Sequence, residues 1–141
     1  MDDPFDLQRF VTAQDAGGTY DAALSELRAG RKTTHWMWFV LPQIAGLGTS
    51  PTAVRYAIGS LAEARAYLAH PVLGPRLRET TEAVLQAPAA SAEALMGGID
   101  AAKLRSSTTL FAHADPDDSS YGEVLQRFFG GREDPATLER L

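Results

Sequence analysis

The chain contains no cysteine. That excludes disulfides, a thiolate nucleophile, iron–sulfur clusters and cysteine-type zinc sites. It fits a reducing compartment, and a cytoplasmic location is expected. No apolar run approaches the roughly 20 residues needed to cross a bilayer. The start, Met1-Asp2-Asp3-Pro4, is acidic and has no apolar stretch behind it. Neither a membrane partner nor a secretory leader is therefore expected. Positive charge is in deficit, with 13 Lys and Arg against 18 Asp and Glu and a net charge of −5. That balance argues against a nucleic-acid partner. Histidine is scarce: the three, at 35, 70 and 113, are too scattered for a ligand pattern, and neither metal nor cofactor is expected. The phosphate-loop, dinucleotide, G-x-S-x-G and H-E-x-x-H patterns are all missing. An acidic stretch at 113–118 lacks the ligand order of a calcium loop and reads as a solvated turn.

Sustained strand alternation is missing too, whereas helical spacing recurs throughout. With 141 residues, 45% hydrophobic and 22% charged, the chain has the composition of one globular domain, 1–141. Asp6 is expected to cap a first helix with Leu7, Phe10 and Val11 inward, ended by Gly17-Gly18. Tyr20, Ala23, Leu24 and Leu27 predict a second helix, stopped at Gly30. Ser50-Pro51 opens a third unit in the N-cap, N1 order. An apolar stripe through Val54, Ile58, Leu61, Ala64 and Leu68 follows, with Ser60 and Glu63 spaced as a capping box. His70-Pro71 ends that helix, and Leu73, Leu77, Val84 and Leu85 mark the next. Ser91 begins a short helical turn, Ser120 and Glu123 form another capping box, and Asp134-Pro135 starts a last turn. The stretch 99–112 is divided: Ala101 to Leu104 favour helix, the hydroxyl run Ser106-Ser107-Thr108-Thr109 does not. The class is all-α, a compact single domain of seven to nine short helices.

The densest feature is His35-Trp36-Met37-Trp38-Phe39-Val40-Leu41, which holds both tryptophans and no acidic or Lys/Arg residue. It follows Arg28, Arg31 and Lys32 and stops at Pro42. With no strand to pair with, it reads as a short buried helix. Its indoles serve as core or as a stacking platform. His35 is either a core imidazole bonded to a carbonyl or a general acid or base. Arg31 and Lys32 either satisfy a helix end or bind an anion. Asp100, Lys103, Ser106 and Ser107 form a second polar cluster, with Lys103 and Ser107 on one helical face. Its hydroxyls need partners if buried.

Arg31-Lys32-x-x-His35-Trp36-Met37-Trp38-Phe39-x-x-Pro42-Gln43 resembles the hallmark of a bacterial domain-of-unknown-function family, numbered 1810 and sometimes labelled calpastatin-like. The likeness continues through Arg55-Tyr56, Ala66-Tyr67-Leu68-x-His70-Pro71-x-Leu73-Gly74 and Asp100-x-x-Lys103-x-x-Ser106-Ser107-x-Thr109-Leu110-Phe111. Phe128-x-Gly130-Gly131 and Asp134 also fit. The resemblance implies a compact all-helical domain and supplies no activity, so it transfers no catalytic residue. Thr34, Leu41 and Thr108 depart from the residues usual there. Calpastatin's inhibitory repeats are disordered, and this chain has the composition of a core.

The polar residues inside the shared motifs give the expected location of a site. The first expectation is a pocket where the Trp run meets the segment 103–109, lined by Arg31, Lys32, His35, Trp36, Trp38, Gln43, Asp100, Lys103, Ser106 and Ser107. It would take a small anionic ligand of nucleotide or ADP-ribose type. Hydrolysis, with Asp100 or His35 as acid or base, is an extension of that reading. The alternative is a non-catalytic protein–protein interaction module in which the shared motifs are structural.

Overall fold

Asp3, not Asp6, starts the first helix. Its carboxylate accepts the backbone N–H of Leu7 at 2.8 Å and of Gln8 at 2.9 Å. These bonds, Gln8's first, hold the Asp3 carboxyl below its ordinary range. Asp6 takes φ +52° instead, a turn conformation that leaves capping to the residue before the turn. The computed structural model describes residues 3–141, so Met1 and Asp2 lie outside the described residues.

Helix α1 (Gln8–Asp15) passes through a 3₁₀ turn into α2 (Thr19–Ala29), with Gly17 and Gly18 both at positive φ. α2 buries Tyr20, Ala23, Leu24 and Leu27 and stops at Gly30, φ +83°. There a Cβ would lie 2.7 Å from the Pro88 carbonyl oxygen. The Trp run does form a short helix, α3 (Met37–Val40). Next come α4 (Pro51–Arg55), capped by Ser50, and α5 (Leu61–Ala69), capped by Ser60. In the Ser60 box Glu63 reaches one residue further back than expected, accepting from Gly59 N–H at 2.9 Å. Its other oxygen takes the partly buried Arg9 guanidinium at 2.9 Å.

α6 (Leu73–Leu85) follows His70-Pro71. His70 has a second role there: its Nδ1 accepts from the N–H groups of Val72 and Leu73, so it caps the helix that follows. α7 (Ala92–Met96) is capped by Ser91 as expected, and α10 (Pro135–Leu138) by Asp134. α9 (Ser120–Phe129) is a correction. Its Ser120-Glu123 box does not form, because Asp118 accepts the Ser120 N–H from outside the helix. Val54 is a second correction, 65% exposed rather than part of the stripe. The chain turns out of α4 at Tyr56 before the next apolar residue, and so the register breaks earlier than the spacing suggests.

α8 (Gly98–Ala114) is the longest helix and runs straight through the hydroxyl segment. Ser106 and Thr109 bond back to the carbonyls of Ala102 and Arg105, so the helix itself offers those hydroxyls acceptors. α8 packs against α5, α7, α9 and α10. Surrounded on several sides, it buries Leu104, Leu110 and Phe111 along with Ser107 and Thr108. Tertiary packing overrides propensity here. One hydrophobic cluster runs from Leu7 to Val124 and includes Trp36, Tyr67 and Phe111.

Eight helices of five residues or more and two four-residue turns are present among the described residues. The class is all-α, as expected. The one β feature among them is an isolated parallel bridge between Ile44 and Ile58, in which Ile58 N–H donates to Gln43 O and Ala45 N–H to Ile58 O, both at 2.8 Å. One residue per side leaves no alternation to read. No described helix is long and apolar enough to cross a membrane.

Candidate functional site

A groove opens where the Trp turn faces the central helix. One wall is the outer face of α8, where Ile99, Ala102, Lys103 and Ser106 fall at helical spacing. The other wall is Trp38, Gln43, Leu47 and Gly48, and Asp134 with Ala136 close one end. The space is about 330 Å³ and open to solvent, at the small end of ligand pockets, about 300–1,000 Å³. Gly48 makes this wall flat: a Cβ there would sit 2.7 Å from the Ala53 Cβ and 3.4 Å from the Trp38 ring. Arg140 fastens the same loop by donating to Gly46 O at 3.3 Å.

Asp100, in the first turn of α8, is shared by two lysines. Its carboxylate lies 2.8 Å from Lys32 Nζ and 3.3 Å from Lys103 Nζ. Two ammonium groups against one carboxylate leave one positive charge in excess. Each ammonium also lies over an indole, Lys103 Nζ 3.9 Å from the Trp38 ring centre and Lys32 Nζ 5.0 Å from that of Trp36. Lys32 is deeply set, its side chain 6% exposed. It also donates to Thr34 O at 2.6 Å, while its own N–H holds Leu95 O at 2.7 Å. Lys103 faces the groove and keeps donors in reserve, since an ammonium has three.

Glu26 on α2 organises the other side of Lys32. Its carboxylate accepts from Thr33 N–H at 2.7 Å, Thr34 N–H at 2.9 Å and Trp36 Nε1 at 3.0 Å, and from the Thr34 hydroxyl. Burial alone would push this carboxyl up. The bonds from Thr34, Thr33 and Trp36 outweigh it and bring the group down to about 2. At the far end of the groove Asp134 accepts from Ser106 Oγ at 3.0 Å, Thr137 N–H at 3.1 Å and Thr137 Oγ1 at 2.6 Å. Its own N–H donates to Thr109 Oγ1 at 2.9 Å. Two hydroxyls of the run on α8 thus anchor the C-terminal turn.

The structure separates the ten residues expected at the site. Trp38, Gln43, Lys103 and Ser106 line the groove, with Asp100 and Lys32 behind Lys103. Trp36 belongs to the core, tied to Glu26, whereas Trp38 is only partly buried and borders the groove. His35 and Arg31 are exposed, do not line the groove, and make no side-chain hydrogen bond to a described residue. Ser107 is buried. The face Lys103 shares is that of Ile99, Ala102 and Ser106, not Ser107. Sequence reasoning passed over Glu26, Leu47, Ile99 and the groove-closing role of Asp134. Of these only Asp134 carried a signal, through its place before Pro135. Among the described residues no cluster of three His, Asp or Glu side chains could hold a metal.

Fold and groove together define a small all-helical protein with a lysine-and-indole cleft against its central helix. The chain belongs to the family described as "Protein of unknown function (DUF1810)", whose model matches residues 4–141. Its structure is similar to the crystal structure of a conserved hypothetical protein from Mycobacterium tuberculosis, with a TM-score of 0.94. That protein is 52% identical, and the match covers 99% of this chain and 98% of that one. No curated protein matches.

Proposed function

We propose that the protein binds a small anionic ligand of the nucleotide or ADP-ribose type in the groove beside α8. The observation that carries this reading is the Lys103 ammonium, 3.9 Å above the Trp38 ring in a solvent-open space of about 330 Å³. An ammonium that shares its carboxylate with a second lysine has donors to offer a phosphate oxygen. The indole beside it offers a surface for a base. A mononucleotide suits the volume, and a compound as long as ADP-ribose would extend past the rim. Turnover is not part of the proposal. Asp100 has an ammonium on each oxygen, and His35 lies outside the lining, so no acid–base pair faces a reacting bond.

Calorimetric titration with adenosine 5′-monophosphate and ADP-ribose tests this, on the wild type and on Lys103→Gln. Binding is expected to the wild type, to weaken as salt rises. The substitution should cost at least tenfold in affinity, about 1.4 kcal/mol. Absence of binding to the wild type, or affinity unchanged in the variant, overturns the proposal. A second reading is favoured by Ile99, 78% exposed on the rim. An exposed isoleucine beside an apolar cleft suits the side chains of a partner helix. This interaction-module reading takes over if no nucleotide binds.

A further inference from the structure

The polar side chains of the groove are mostly engaged with one another. Lys103 holds Asp100, Ser106 holds Asp134 and Ala102 O, and Asp134 holds Thr137. Gln43 is the exception. It is 9% exposed, and its carboxamide makes no hydrogen bond to a described residue. It borders the groove on one side and, on the other, a pocket of about 10 Å³, room for one water. The backbone that carries it is held in place, because Pro42 precedes it and its carbonyl accepts the Ile58 N–H at 2.8 Å. A carboxamide carries two N–H donors and an acceptor oxygen on one plane. Its amide nitrogen and oxygen reach solvent, because among the described residues the buried side-chain polar atom left without a partner is the Tyr121 hydroxyl, so the Gln43 amide is open to a ligand that enters the groove.

We infer that Gln43 is the specificity-determining residue of this groove and reads a ligand edge that places a hydrogen-bond donor beside an acceptor. The inference rests on the binding proposal above and deepens it. Two ligand groups share that chemistry: the amine edge of adenine, which pairs bidentately with a carboxamide, and a primary carboxamide such as that of nicotinamide. With Lys103 on the phosphate and Gln43 on the ring edge, the ligand spans the groove across Trp38. A ring that offers acceptors only would leave the Gln43 oxygen facing another oxygen or nitrogen lone pair.

Two matched pairs test this by calorimetry. Adenosine 5′-monophosphate is compared with purine riboside 5′-monophosphate, which lacks the amine. Nicotinamide mononucleotide is compared with nicotinic acid mononucleotide, in which a carboxylate replaces the amide. In the wild type the donor-bearing member of one pair should bind roughly tenfold tighter or more, and which pair does so names the edge. Gln43→Leu should bring that ratio close to one while ribose 5-phosphate binds as before. The wild-type ratios need no variant, and Gln43→Asn serves if the leucine variant does not fold. If all four bind through Lys103 at ratios near one, or the ratio survives in Gln43→Leu, Gln43 is served by water and the inference is overturned while the binding proposal stands. If none of the four binds to the wild type, both fall.

Discussion

At the scale of single residues, Glu26 shows how a side chain with no motif around it can organise a site. Its carboxylate gathers the N–H groups of Thr33 and Thr34, the Thr34 hydroxyl and the Trp36 indole, and so fixes the approach to Lys32. Its folded value of about 2 lies below the ordinary 4.5. An unfolded chain therefore takes up this proton first as pH falls. The stabilisation is fully present above about 4.5 and is lost as pH drops toward 2. Urea denaturation at several pH values should show that slope in the wild type and a flatter one in Glu26→Gln. At neutral pH the substitution should cost on the order of 1 kcal/mol, modest for bonds to a charged acceptor because solvent reaches the carboxylate. Nothing in the sequence marked Glu26, since its partners lie on a loop that helical spacing does not describe. Trp38, Gln43 and Lys103 were legible as candidates because charge and aromatic surface are concentrated there. Which indole faced outward was not, because one helical turn gives no period to read.

At the scale of elements, caps and breakers were the legible part. Ser50, Ser60, Ser91 and Asp134 cap as their spacing predicts. The misreadings arose where a partner outside the element took over, as Asp3 does for α1 and Asp118 for α9. α8 was the least legible, because a helix packed on several sides keeps too narrow an exposed strip to betray its period. α5 and α6 approach closely at Gly74, where a Cβ would come within 2.1 Å of the Leu68 carbonyl oxygen. Backbone cannot yield as a flexible side-chain tip can. Gly74→Ala should therefore push α5 and α6 apart and destabilise the fold by about 1–3 kcal/mol or more. Chemical denaturation checks this directly. An unchanged midpoint would show that the two helices separate without cost.

At the scale of the whole molecule, one hydrophobic cluster draws on residues from Leu7 to Val124. Parts that share a core melt together, and so far-UV circular dichroism and near-UV signals should trace a single coincident transition. Two separated transitions would mean that some of the helices are held independently. The distribution of the indoles has a practical consequence. Trp36 is entombed and Trp38 borders the cleft. A Trp36→Phe protein would glow from the cleft alone and a Trp38→Phe protein from the interior alone. The chain thus carries its own sensor for occupancy beside its own reference for integrity, and no added dye is needed to tell a filled cleft from a loosened fold.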